Sequence, residues 1–493
     1  MTRSVKNTFV PINRIPPEVL SLIPDHYERD KEEELIALTH VCRDWREIFI
    51  SRASLWTFLN CTSFDKTNTY IQRSKGFPLE ISLVAHAYTH RHEALDLILP
   101  LTQRFKALTL RGHGFSNSRE VLKVAQRFCS PAPLLEKLDI QIDRIGYPDL
   151  MDTIFGGNLT SLRELRLCGV LTDLPWRNMT NLTTFDLRRV LGYQISATQI
   201  LDFLEHSPLL REIKLVNSLP YSYDVPAKRI VSLHHLKLLR ICAAPVHSTL
   251  LNYLHIPIGA SITQEFEYDC ETSIVSDHFP KSLDHLDNIS HITSINLRFD
   301  LEMAIRLNGP SGSLYALGVT DDAGFTPSVS ERLILESLNK FSVSTTERLA
   351  ITDYTASADR FGAYEILILM DNLRTLTLID CDNTSFILAL NPDRNASKTM
   401  LCPGLEELVL SFEDFENFEE TCVDELLEMA KARASRGTKL STLVIASSWI
   451  TTPEDVPDLE GCVSRVEYRL EDISPRWDIL PGEDDDDGYD SDW

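Results

Sequence analysis

Leu162-Arg163-Glu164-Leu165-Arg166-Leu167 and, twenty residues later, Leu182-Thr183-Thr184-Phe185-Asp186-Leu187 share one pattern: an apolar residue, two variable ones, an apolar residue, one variable, an apolar residue. Upstream the pattern stands at Phe105-Leu108-Leu110 and Leu135-Leu138-Ile140. Downstream it continues at Leu210-Ile213-Leu215, Leu236-Leu239-Ile241, Thr263-Phe266-Tyr268, Ile292-Ile295-Leu297, Leu314-Leu317-Val319, Thr346-Leu349-Ile351, Leu373-Leu376-Leu378, Leu405-Leu408-Leu410, Leu440-Leu443-Ile445 and Val463-Val466-Tyr468. The last position advances from 110 to 468 in thirteen steps, an average near 27 residues, and self-similarity at such a period means stacked supersecondary units. The alternating end of each copy predicts a short strand with one face in the core. The stretches between, such as 198–206 and 423–434, have helical spacing and predict a covering layer. No single unit buries its apolar face alone, so the units must stack. Pro133, Pro208 and Gly404 stand just ahead of strands, where the chain turns.

This body, residues 105–470, resembles the leucine-rich repeats. The resemblance implies an α/β fold: an irregular leucine-rich-repeat solenoid with parallel strands on the concave side and helices on the convex side. Where that family places Asn or Cys to satisfy the turn backbone, Cys381 fits. His113, Val170, Val190, Ser218 and Glu413 depart from it, which predicts a varied convex side.

Ahead of the body, Pro16 and Pro17 suit the first turn of a helix, with Val19, Leu20 and Ile23 as a short apolar face and Pro24 as its stop. Leu35, Leu38, Cys42, Trp45 and Phe49 then fall at spacings that form one amphipathic stripe, with Glu32, Glu33 and Glu34 at the end where the helix dipole favours acids. On pattern alone this is a helical cap over the first strand. The order Ile15-Pro16-Pro17-Glu18-Val19-Leu20-Ser21-Leu22-Ile23, then Leu35 through Val41-Cys42-Arg43-Asp44-Trp45-Arg46, then Leu55-Trp56, resembles an F-box of the fungal type. Ile71-Gln72-Arg73-Ser74-Lys75-Gly76-Phe77-Pro78-Leu79 is similar to the segment that often follows such boxes.

The resemblance implies a small helical F-box at 8–56, a linker and first capping unit at 57–104, and docking on the Skp-type adaptor, and through it a cullin, of an SCF-type ubiquitin ligase. It assigns Ile15, Pro16, Leu20, Ile23, Leu35, Val41, Cys42, Trp45 and Trp56 to the box core or the adaptor contact. Pro24 replaces the large apolar residue usual after the isoleucine of the first box helix, so that helix is expected to be a turn shorter and the docking weaker.

The 72 acidic against 48 basic residues give a net charge of −24, which repels phosphate backbones and anionic lipid and argues against nucleic-acid and membrane partners. Ten scattered cysteines without a CxxC, and an amino terminus unlike a signal sequence, predict a reducing cytoplasmic or nuclear compartment. Seven acids and no bases in 483–492 predict that residues 471–493 form an acidic disordered tail. Eight acids in 413–428, alternating with Phe415 and Phe418, predict a tethered loop.

Catalytic signatures fail. His92-Glu93-Ala94-Leu95-Asp96 has Asp where a zinc-protease helix needs its second His, and His86, His90 and His92 lack a fourth ligand. Gly112-His113-Gly114 lacks the third glycine of a dinucleotide loop, and Gly309-Pro310-Ser311-Gly312 reads as a turn. No enzyme, cofactor or metal is expected. The working surface is instead the strand face turned away from the core, where Arg111, Arg166, Arg188, Lys214 and Arg240 recur with Asp139, Glu164, Asp186 and Glu212 among them. Two readings stand: mutual ion pairing, or a substrate-binding wall that grips carboxylates or phosphates of a protein target. The functional expectation is a non-catalytic substrate receptor of the ligase. The alternative is a repeat scaffold that binds a protein partner without ligase recruitment, and a more distant one is an enzyme whose residues converge only in three dimensions.

Overall fold

The computed structural model describes residues 15–23, 32–84, 92–112, 115–142, 149–151, 154–157, 159–172, 178–189, 196–218, 229–243, 250–267, 280, 283–299, 303–319, 327–354, 362–395, 397–412, 420–447, 459 and 461–469. They form a mixed α/β structure with eleven α-helices and a large, mostly parallel sheet of seventeen strands. The chain divides into two compact units, 1–191 with 202–210 and 192–201 with 211–493. The acidic tail, Pro24, His86 and His90 lie outside the described residues.

The first unit begins with helices α1 (Pro17–Leu20), α2 (Glu32–Thr39) and α3 (Arg43–Ser51). The stripe expected as one helix from Leu35 to Phe49 is broken: Cys42 takes an extended conformation, φ −156°, and caps α3. The break is held by Arg46, whose Nε donates to the Thr39 carbonyl across it at 3.0 Å. Strands β1 (Phe58–Leu59), β2 (Leu79–Val84), β3 (Phe105–Gly112), β4 (Lys137–Ile142), β6 (Glu164–Cys168) and β8 (Thr184–Arg188) follow, all parallel and paired in that order. A minor ladder joins β5 (Asp149–Met151) to β7 (Val170–Thr172). Helices α4 (Phe64–Arg73), α5 (His92–Ile98) and α6 (Phe115–Ala125) fill the connections. The ladder thus starts at Phe58, earlier than the repeat pattern that opens at Phe105.

The register explains the pattern. Leu108, Leu138, Leu165 and Phe185 lie side by side, as do Leu110, Ile140, Leu167 and Leu187, and all are buried. Behind them Phe105, Phe128 and Phe155 pack ring to ring at 5.7 to 6.2 Å between centroids. Each buried row of large aliphatic side chains contributes roughly 1.5–3 kcal/mol per residue.

In the second unit β9 (Glu212–Val216), β11 (Leu238–Ala243), β13 (Ser261–Glu267), β14 (Ser294–Phe299), β15 (Met303–Asn308), β16 (Ser313–Val319), β17 (Arg348–Thr352), β18 (Thr375–Ile379), β19 (Glu407–Phe412), β20 (Thr442–Ser447) and β21 (Arg465–Arg469) form one ladder, while β10 (Val231–Ser232) pairs with β12 (Leu254–His255). The ladder does not follow chain order. Strand β13 pairs with β16, and β15 runs antiparallel between β16 and β14. Connections of 300–302 and 309–312 are far too short for a parallel crossover, which needs a dozen residues or more. The 309–312 turn is the expected one: Gly309 N donates to Gly312 O at 2.8 Å, and a Cβ on Gly312 would lie 2.5 Å from the Ile258 carbonyl oxygen. From β17 to β21 the order is sequential and parallel.

Two copies of the pattern are corrected. Ile262 pairs with Leu239, so the copy at Phe266 is four residues out of register. Leu314 pairs with Ile262, so Leu317 faces away from the core, with Tyr315 and Ala304. Helices α7 (Ala197–His206), α8 (Pro327–Lys340), α9 (Gly362–Ile368), α10 (Asn383–Leu390) and α11 (Glu420–Ser435) complete the fold. Of the acidic stretch expected as a loop, 420–428 is helical, in agreement with the helical spacing of 423–434; Arg394 pairs there with Glu425 at 2.6 Å and Glu428 at 2.7 Å.

Gly169, Arg189, Asn217, Asp353 and Asp380, each two residues past the last core apolar residue of its strand, all have φ between 49° and 67°. This left-handed residue turns the chain off the sheet and lends its N–H to the next strand: Gly169 to Arg188 O, Asp353 to Ile379 O and Asp380 to Ser411 O, at 2.9 to 3.0 Å. Cys381 does what its position predicts, its Sγ lying 3.1 Å from Ile379 O and 3.3 Å from Ile351 O. Ser218 does the local part of the same task, donating to Val216 O at 2.7 Å.

Candidate docking surfaces

The first candidate surface is the helical module. Leu20, Leu38, Trp45 and Phe49 form its core, with Ile23, Cys42, Ile48 and Leu55 packed at the margin. Trp45 and Phe49 meet edge to face at 5.6 Å, and Arg52 donates to the Ser21 carbonyl, tying α1 to the end of α3. That core leaves out a set of apolar residues. Ile15, Val19 and Leu22, spaced by four and three, are 36%, 51% and 51% exposed, and Val41 at the break is 53% exposed. Pro16 is exposed beside them. The face expected from Val19, Leu20 and Ile23 is therefore divided, with Leu20 inward and Val19 outward. Single exposed apolar side chains are ordinary, whereas several within a few residues of one another form a candidate docking surface.

Of the nine residues that the F-box resemblance assigns, Ile15, Pro16 and Val41 are outside; Ile23, Leu35 and Cys42 are half-buried; Leu20 and Trp45 are core. Trp56 is apart from them. It is fully buried, its Nε1 donates to Phe49 O at 3.0 Å, and its ring packs on Tyr70 at 5.0 Å beneath the Arg73 guanidinium at 4.3 Å. Its role is to join the module to the first strands. Val19 and Leu22 complete the stripe, and their i, i+3 spacing was the available signal.

The second candidate surface is the sheet face turned away from the core. In the first unit Thr109, Asp139, Arg166 and Asp186 are successive neighbours across β3, β4, β6 and β8, and Arg111, Gln141, Cys168 and Arg188 form the next row. Arg166 thus has a carboxylate on either side. Arg111 lies 3.8 Å from Asp139, Lys137 3.5 Å from Glu164, and Arg188 2.8 Å from Asp186. In the second unit Lys214 meets Glu212 at 3.1 Å and Arg240 meets Glu265 at 2.9 Å. Lys214 and Arg240 are direct neighbours across β9 and β11. Every cation expected on this face is thus set beside an acid.

Asp139 is the deepest of the acids, 1% exposed. Burial pushes its carboxyl above the usual carboxylate range, opposed by Arg111, Arg166 and Lys137. Sequence reasoning named the cations and gave the acids second place, because nothing in the spacing shows which side chain lies at the floor.

Among the described residues no group of three or more His, Cys, Asp or Glu is placed to hold a metal, and no helix is long and apolar enough to cross a membrane. No family model and no curated protein matches the chain.

Proposed function

We propose that this chain is the substrate-receptor subunit of an SCF-type ubiquitin ligase, an F-box at the amino end docking the Skp-type adaptor and an irregular leucine-rich-repeat solenoid holding a protein target. One observation carries the reading: Ile15, Val19 and Leu22 are exposed, while Leu20, Leu38, Trp45 and Phe49 form the module core without them. Such a stripe fits an apolar groove on a helical partner. The mechanism is proximity: a target held beside a charged ubiquitin carrier reacts at high effective concentration, without a nucleophile from this chain.

The test is co-purification of the full chain with a recombinant Skp-type adaptor. Ile15→Ala with Pro16→Ala and Val19→Ala is expected to abolish it and leave the melting temperature unchanged. Absence of binding by the unaltered chain overturns the ligase reading and leaves a scaffold that binds its partner alone.

A further inference from the structure

The sheet face of the first unit carries more hydrogen-bonding capacity than it uses. Asp139 Oδ1, Arg111 Nε and Arg166 Nε are shut off from solvent and meet no partner at hydrogen-bond distance and angle among the described residues, although the Gln141 side chain is near enough to Asp139 to lower its carboxyl. They converge. Asp139 and Arg166 are paired neighbours on β4 and β6, and the Arg111 guanidinium reaches back to within 3.8 Å of Asp139 Oδ2. Unpartnered polar atoms at such depth are uncommon in native proteins and need an explanation.

The balance of charge decides which ligand suits them. An anion would satisfy the two guanidinium N–H groups but set its charge against the buried Asp139 carboxylate, with Asp186 next along the row. An ammonium would satisfy Asp139 but stand among Arg111, Lys137 and Arg166. A neutral group with one N–H and one carbonyl oxygen meets both demands, its N–H donating to Asp139 Oδ1 and its oxygen accepting from Arg111 Nε or Arg166 Nε. We infer that the Arg111, Asp139, Arg166 cluster is a binding site for an uncharged carboxamide, the side chain of Asn or Gln in an extended segment of a protein target. This deepens the target-binding half of the proposed function and rests on it; adaptor docking is a separate event at the helical module.

The probes are N-acetylated, C-amidated extended peptides on one Gly-Ser-Ala host, bearing Asn and Gln, Asp and Glu, phosphoserine, or Lys and Arg, titrated against the full chain by fluorescence polarisation. The Asn and Gln set is expected to bind in preference to the others. Asp139→Ala should weaken it by at least about tenfold, the loss expected from one hydrogen bond to a charged group. Asp139→Asn removes the opposing charge and should turn the preference toward the Asp and Glu set. Arg166→Lys keeps the charge but lacks the Nε donor, and should weaken the Asn and Gln set even if the Asp139 variants fold poorly. Adaptor co-purification should be unchanged in all of them, which separates failure of this site from failure of the ligase reading. Preference of the unaltered chain for acidic, phosphorylated or basic peptides, no binding of any set, or unchanged affinity in the folded variants overturns the inference.

Discussion

Arg188 turns back on Asp186, two residues before it in the same strand, with Nε 2.9 Å from Oδ1 and Nη2 2.8 Å from Oδ2. Both carboxylate oxygens are engaged by one planar fork, and Asp186 is only 4% exposed. The acid of this pair is buried while the Arg188 side chain is 23% exposed, so removing the arginine strands a carboxylate away from water. Arg188→Ala is expected to cost about 1–3 kcal/mol, the range for a buried polar group left unpaired. Adding Asp186→Asn should recover part of the loss. Urea denaturation of the two single variants and the double variant measures the coupling; additive losses would show that the fork contributes nothing.

A fully buried guanidinium, Arg433, has no acidic partner among the described residues. Arg433 is fully buried, and its Nη1 and Nη2 donate to the carbonyl oxygens of Leu401 at 3.0 Å and Cys402 at 2.8 Å. Burial pulls its pKa below the usual arginine value. Its function is to satisfy a turn backbone whose Cys402 stands at φ 45°. Arg433→Ala is expected to lower stability by about 2–5 kcal/mol, by lost packing together with two orphaned carbonyls. Arg433→Lys should recover little, since a single ammonium lacks the planar fork that reaches two carbonyls at once.

The raised carboxyl of Asp139 fixes the sign of a pH effect. In the folded state it holds its proton more tightly than in the unfolded chain, so between the ordinary carboxylate value and its raised folded value the native form carries more protons. Its contribution to stability is therefore most favourable below the ordinary value and falls as pH rises through the folded one. Asp139→Asn lacks this dependence. The difference in unfolding free energy between the variant and the unaltered chain should shift toward the variant with rising pH across that window and level off above it. A gap that moves the other way would mean that Arg111, Arg166 and Lys137 outweigh burial.

The rows Leu108, Leu138, Leu165, Phe185 and Leu349, Leu376, Leu408, Leu443 were legible because a strand's period of two and the repeat's spacing agree on which side chains are buried. Strand β2 was missed although Leu79, Ile81 and Leu83 alternate, since Pro78 occupies the place of the leading apolar residue. At β13 a buried Gln264 stands where neighbouring strands have Ile241 and Ala316, and the aromatic Phe266 drew the pattern four residues along. The antiparallel β15 was readable in principle from the turn at 309–312 and the short step before it. The exposed apolar set at the amino end was hidden for a different reason: Val19 and Leu20 are equally apolar, and only the packing of Leu20 with Trp45 and Phe49 tells them apart.

Cysteine reactivity follows burial. Cys242, Cys381 and Cys402 are each pushed up to about 12, with burial the leading cause, so they remain thiols at neutral pH. Cys129 is exposed. With iodoacetamide under native conditions, peptide mass spectrometry should find Cys129 modified first and the other three intact until denaturant is added. Early modification of Cys402 would show that the turn under Arg433 opens readily.

Val19 and Leu20 separate docking from folding in the amino-terminal module. Leu20 is 3% exposed and shares its core with Trp45 and Phe49, whereas Val19 on the same turn is 51% exposed. Leu20→Ala removes buried methyl groups and is expected to cost the module about 2–5 kcal/mol. Hydrogen exchange should report this as lost protection in α2 and α3, with the strands unaffected. Val19→Asp places a charge in solvent, where it costs little to stability, yet within an apolar contact it would be desolvated without a partner. Exchange in α2 and α3 should then match that of the unaltered chain while adaptor binding falls by an order of magnitude or more. If Val19→Asp binds normally and only Leu20→Ala fails, the stripe is ordinary surface and the module is a structural cap.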